Sequence, residues 1–133
     1  MTYGLCNQTV TVYNARSEQY HKTVIRGAHF DFNRVWRETK TGNVAETKFL
    51  LVIPQGADGK TYVLPLSFAA LEDKKNKFTL ADGDKVILGE GPDITTKEQW
   101  SAFIPSKVDG LVQIKNADPK FLRGEIVHVE ASG

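Results

Sequence analysis

Apolar and polar residues alternate along most of this chain, and a period of two marks strands that turn one face away from water. Thr9-Val-Thr-Val-Tyr-Asn14 alternates and predicts a half-buried strand. Tyr20-His-Lys-Thr-Val-Ile-Arg26 predicts the next, set off by the polar stretch from Ala15 to Gln19 at a hairpin-like spacing. Gly27 interrupts, and Ala28-His-Phe-Asp-Phe-Asn-Arg-Val-Trp36 resumes the alternation. Ala28, Phe30 and Phe32 fall on one side, and His29, Asp31 and Asn33 on the other. Glu38 to Asn43 reads as a turn, because Gly42-Asn43 takes positive φ at low cost. Phe49-Leu-Leu-Val-Ile53 has no alternation at all, which fits a strand covered on both faces or the centre of a closed barrel.

The pattern then weakens. From Gln55 to Lys77 the chain holds Gly56-Ala-Asp-Gly59, Leu64-Pro65-Leu66 and the polar run Glu72 to Lys77. A short strand at Tyr62 to Leu64 and a helical turn at Ser67 to Leu71 are the regular pieces expected there. Long irregular segments in compact domains are usually functional or mobile, so this one reads as an excursion from the core. Leu64, Pro65, Leu66 and Phe68 are its candidate subunit-interface residues.

Regularity returns with the turn Leu80 to Lys85 and the strand Val86 to Leu88, stopped by Gly89-Glu-Gly-Pro92. Thr95 or Thr96 can cap a helix from about Lys97 to Phe103, with Glu98 or Gln99 completing a capping box and Trp100 and Phe103 turned inward. Leu111 to Lys115 and Gly124 to Glu130 predict two last strands, separated by Asn116 to Arg123. The expected fold is mostly β: one domain over residues 1–133, a small barrel or sandwich of about six to eight strands with one short helix and a long irregular loop. Its buried set is expected to include Val10, Val12, Phe30, Phe32, Leu50, Val52, Val86, Leu88, Val127 and Val129.

Composition changes this picture little. At 133 residues, 41% hydrophobic and 25% charged, one core is feasible without disulfides or metal. A formal charge of +1 lacks the basic surplus of a dedicated nucleic-acid binder, so no sequence-specific nucleic-acid partner is expected. Cys6 is the only cysteine and no basic residue flanks it to activate the thiol. The first residues lack the regions of a signal peptide, and the run Phe49 to Ile53 is far too short to span a bilayer, so a cytoplasmic product without a membrane partner is expected.

A search for chemistry finds no catalytic constellation, so no enzyme, cofactor or metal is expected. His21, His29 and His128 lie on three expected strands at no metal-ligand spacing, and read as surface histidines. Asp82-Gly-Asp84 lacks the further oxygens of a calcium loop and reads as a hairpin turn. Gly89-Glu-Gly91 runs into Pro92 and builds no phosphate cradle. Glu72 and Asp73 read as a solvated loop. Trp36 and Trp100, with the other aromatics, read mainly as core and otherwise as a stacking platform for a polymer.

Taken in order, several stretches resemble small phage proteins. Cys6-Asn-Gln-Thr-Val-Thr-Val-Tyr13, Phe30-Asp-Phe32, Phe49 to Pro54, Gly83 to Ile94 and Lys120 to Glu130 are similar to segments of small proteins from phages and prophages of Firmicutes. More loosely, they resemble the minor capsid and head-closure proteins of siphophage necks, small β-barrels with a Gly-Asp-x-Val turn and strand. The resemblance covers nearly the whole chain and brings no catalytic residues. It implies a virion structural protein at the head-tail connector, assembled in the host cytoplasm and acting as a homo-oligomeric ring with neck, portal or tail components. The alternative from the residues alone is a monomeric barrel module that binds an oligonucleotide or oligosaccharide.

Overall fold

Val10 and Val12 send their side chains to one face of the first strand, β1 (Gln8–Arg16), and both are fully buried. Thr11 and Tyr13 point to the other face and are fully buried too. The alternation in β1 therefore separates two covered faces, rather than core from solvent. The computed structural model that shows this describes residues 6–16, 19–39, 42–104, 107–108 and 110–132, with residues 16, 19, 32–39 and 42–47 at backbone level.

Nine strands and two short helices are present among the described residues: β2 (Gln19–Thr39), β3 (Gly42–Pro54), β4 (Thr61–Tyr62), α1 (Pro65–Ala70), β5 (Lys77–Phe78), β6 (Lys85–Leu88), α2 (Lys97–Ala102), β7 (Leu111–Gln113), β8 (Asn116–Leu122) and β9 (Glu125–Ser132), with a 3-10 turn at Ala57–Gly59. Seven strands form one antiparallel sheet in the order β7-β6-β1-β2-β3-β9-β8, and β4 and β5 form a small parallel pair. β2 serves both halves of the large sheet. Up to Ala28 it pairs with β1, and from His29 onward with β3. Gly27, at φ +96, lies at this changeover, where its backbone favours glycine.

The sheet is rolled. β7 and β8 lie at opposite ends of the strand order, yet only Ile114 and Lys115 separate them in the chain. Three Cα steps span about 11 Å at most, so the two edges must approach each other. The Lys115 N–H reaches the Ser132 carbonyl at 3.4 Å, but no ladder joins β7 to β8 and the barrel stays open. The mostly-β expectation holds in its sandwich-like form. Inside the roll lies the main core, with Val12, Ile25, Leu51, Phe78, Val86 and Val129 among its members. Each such side chain contributes roughly 1.5–3 kcal/mol by leaving water. A second cluster, Tyr13, Ile87, Ile94, Phe103 and Leu111, covers the outer face of β1 and β6.

Several sequence expectations need correction. The run Phe49 to Ile53 is covered mainly on one face: Phe49, Leu51 and Ile53 are buried, Val52 is half-buried and Leu50 is exposed. Leu51 pairs with Phe30 on the core side, which turns Leu50 outward opposite Asp31. Leu88 is the last residue of β6 and is also exposed, and Val127 is half-buried. The Phe32 side chain lies outside the described residues. Asn116 to Arg123, expected as a connection, is mostly strand. Pro119 is tolerated within this strand because β8 is a sheet edge, the place where strands accommodate proline.

Candidate functional site

α1 presents the first surface of interest. Pro65 starts the helix at a position where no N–H is needed, and the Phe68 amide closes it on the Leu64 carbonyl at 2.8 Å. Phe68 is buried, with the His21 ring 5.5 Å away and Lys74 Nζ 5.5 Å above its face. Leu64 and Leu66 point the other way, at 44% and 89% exposure. Of the four expected interface residues, the structure therefore puts Leu64 and Leu66 on the surface, half-buries Pro65, and uses Phe68 as the anchor beneath them. The strands on either side of the helix are well tied. The Gln55 side chain accepts from Tyr62 N at 2.7 Å and donates to its carbonyl at 3.1 Å, and Val63 N donates to the Phe78 carbonyl at 2.9 Å.

The outer face of β1 carries the second surface. The Thr11 hydroxyl donates to the Gly89 carbonyl at 2.7 Å and accepts from Gly91 N at 3.0 Å. The Tyr13 hydroxyl donates to the Pro92 carbonyl at 2.6 Å, and its ring meets Phe103 edge-on at 5.0 Å. Burial, with the nearby Asp93 charge as the smaller cause, pushes the Tyr13 phenol up to about 12. Lys85 is buried beneath α2, its Nζ donating to the Trp100 carbonyl at 2.7 Å and sitting 4.1 Å from the Trp100 ring centre. Burial lowers its pKa. These contacts strap residues 89–104 across the sheet. They leave an open cleft of about 310 Å³ lined by Pro92, Asp93, Ile94, Gln99, Ala102 and Phe103. Nothing in the alternation of β1 distinguished Thr11 and Tyr13 as strap anchors, and Lys85 carried no sequence signal.

The histidines are not brought together. His21 Nε2 lies 2.8 Å from the Lys77 carbonyl, His29 is half-buried, and His128 is buried with Glu130 Oε1 3.1 Å from its Nε2. The surface reading fails for His128, because β9 is an inner strand flanked by β3 and β8. Among the described residues no group of three His, Cys, Asp or Glu side chains could hold a metal. Asp82-Gly-Asp84 is a turn, as expected, but Asp84 is buried. Asp84 accepts from Asn14 Nδ2 at 2.9 Å and from Ala81 N at 3.0 Å. Glu72 and Asp73 are exposed, and Asp73 accepts from Lys75 N at 2.9 Å in its own turn. Trp100 is half-buried against Tyr20 at 5.4 Å, the Trp36 side chain lies outside the described residues, and Phe121 is the one exposed aromatic among the described side chains. Cys6 is half-buried and its thiol is pushed up by burial.

The fold and these two surfaces define a rolled antiparallel β-sheet protein with a strapped outer face. A family model described as "Family of unknown function (DUF6751)" matches residues 5–133, and the chain belongs to that family. No curated protein and no solved structure matches the chain.

Proposed function

We propose that this chain is a structural component of a tailed-phage particle, a head-tail connector or minor capsid protein that works by protein-protein contacts. The observation that carries the reading is the ribbon at the far end of β2 and β3. Seven register pairs, from Asn33↔Lys48 to Thr39↔Gly42, continue beyond the last pairings of β1 at Ala28 and β9 at Leu50. Among the described residues no third strand joins it. An isolated two-stranded ribbon is marginally stable in water, and its two open edges display unpaired N–H and C=O groups. Such an arm gains stability when a neighbouring subunit or neck component adds to an edge. The resemblance to siphophage neck proteins supports the same reading, with a homo-oligomeric ring as the assembled form.

The test is made in a phage or prophage background that carries the gene. Antibody against the protein should label purified particles at the neck, and deleting the gene should leave heads without tails. Particles that lack the protein, with unchanged counts after deletion, would overturn the proposal.

A further inference from the structure

The two surfaces described above lie on opposite faces of one sheet. Successive residues of a strand point to opposite sides. Asn14 and His21 are a register pair on the α1 side. Asn14 Nδ2 donates to the Thr79 carbonyl at 2.6 Å, and the His21 ring packs by Phe68. The next pair, Tyr13 and Lys22, is on the strap side. Tyr13 binds the Pro92 carbonyl, and Lys22 Nζ is 3.0 Å from Asp93 Oδ1. The apolar knob of Leu64 and Leu66 thus stands on one side of β1 and β2, and the cleft of Pro92, Ile94, Ala102 and Phe103 opens on the other.

Size and charge agree. The cleft, about 310 Å³ and open to solvent, has volume for two leucine side chains, with Ile94 and Phe103 as its buried apolar lining and Asp93 and Gln99 also in its walls. The cleft-bearing segment, residues 89–104, carries Glu90, Asp93 and Glu98 against Lys97. The knob-bearing segment, residues 60–77, carries Lys60, Lys74, Lys75 and Lys77 against Glu72 and Asp73. Asp93 is already paired with Lys22, and Lys74 Nζ is held at the Leu71 carbonyl. The remaining charges are Glu90 and Glu98 against Lys97 on the cleft segment, and Lys60, Lys75 and Lys77 against Glu72 and Asp73 on the knob segment. This small surplus of opposite sign favours unlike over like contact.

We infer that the knob of one copy seats in the cleft of the next, a head-to-tail contact between subunits. It rests on the reading of this chain as a ring subunit, and it names the surfaces that would build the ring. A contact between two different patches on opposite faces repeats from copy to copy, and it closes into a ring when the rotation allows.

Disulfide trapping tests it in a Cys6→Ser background. Leu66→Cys and Ala102→Cys replace exposed residues, so both variants should fold, with circular dichroism as the check. Mixed at millimolar protein under mild oxidation, they should cross-link about tenfold faster than Leu66→Cys mixed with Glu125→Cys, a difference of ~1.4 kcal/mol in contact. The double variant Leu66→Cys/Ala102→Cys should give a ladder of multimers, and adding Leu64→Asp should suppress it. Cross-linking no faster than the control pair, or Leu66→Cys joining chiefly to itself, overturns the contact. Neck labelling without the trapped bond removes this contact and leaves the particle role standing. The bond without labelling keeps the contact and removes the particle role.

Discussion

Gly91 is buried where the strap crosses β1, and a Cβ added there would overlap the Tyr13 hydroxyl and lie 2.8 Å from Ile87 Cγ2. Neither neighbour can retreat, since the Tyr13 hydroxyl is held by the Pro92 carbonyl and Ile87 is packed in the outer cluster. Gly91→Ala should therefore destabilise the fold by roughly 1–3 kcal/mol, read as a lower urea midpoint at unchanged slope. Tyr13 carries a second prediction. Its native phenol titrates near 12 against 10 for an ordinary tyrosine, so the native state holds its proton after the unfolded chain has lost it. Its contribution is complete below pH 10 and is lost as pH rises from 10 towards 12. Tyr13→Phe should flatten that alkaline loss of stability in denaturation series, in part only, because burial also raises Tyr62. The glycine was legible in the sequence as part of a strand stop and as a failed phosphate loop. Its real constraint, contact with a residue far away in the chain, leaves no local pattern.

At the scale of elements, legibility follows how local the cause is. The helix α2 was readable because its start signal sits within one turn: Thr96 accepts from Gln99 N at 3.1 Å, and the Gln99 side chain accepts from Thr96 N at 3.2 Å. Thr96→Ala should lower stability by about 1 kcal/mol, measured as a drop in thermal midpoint, and unchanged stability would mean the strap holds the helix without its cap. Phe103 is buried, as its spacing from Trp100 implied, and Trp100 is half-buried over Lys85. The strand at Phe49 to Ile53 was recognised, but its phase was not. Five apolar residues in a row carry no alternation, and only the pairing of Leu51 with Phe30 decides which of them face inward. β1 erred in the opposite direction, since its polar Thr11 is spent on the backbone of the strap, a partner 78 residues away.

For the whole molecule, the mostly-β class was legible from periodicity, and the order of strands was not. Nothing local says that β9 lies between β3 and β8, or that β7 and β8 end on opposite edges of the sheet. The surfaces were legible in part: Leu64 and Leu66 stood out as apolar residues in an irregular segment, but the cleft they would fill is assembled from a strap whose anchors are on β1. The position of β9 also bears on how the protein is made. β1, β2 and β3 are consecutive hairpins and can pair as soon as residue 54 has emerged. β3 then waits for its second neighbour while residues 55–124 are synthesised, which at 5–20 residues per second is roughly 4–14 s. During that interval the β3 edge from Leu50 to Pro54 is open, the inner face of Phe49, Leu51 and Ile53 lacks Val129 and Ala131, and β8 has no strand to join. A nascent chain in this state is a template for wrong pairing with its neighbours on the same message. Slow translation through residues 55–124 would lengthen that exposure, and the sheet becomes safe only when its second-to-last position is filled by its last-made strand.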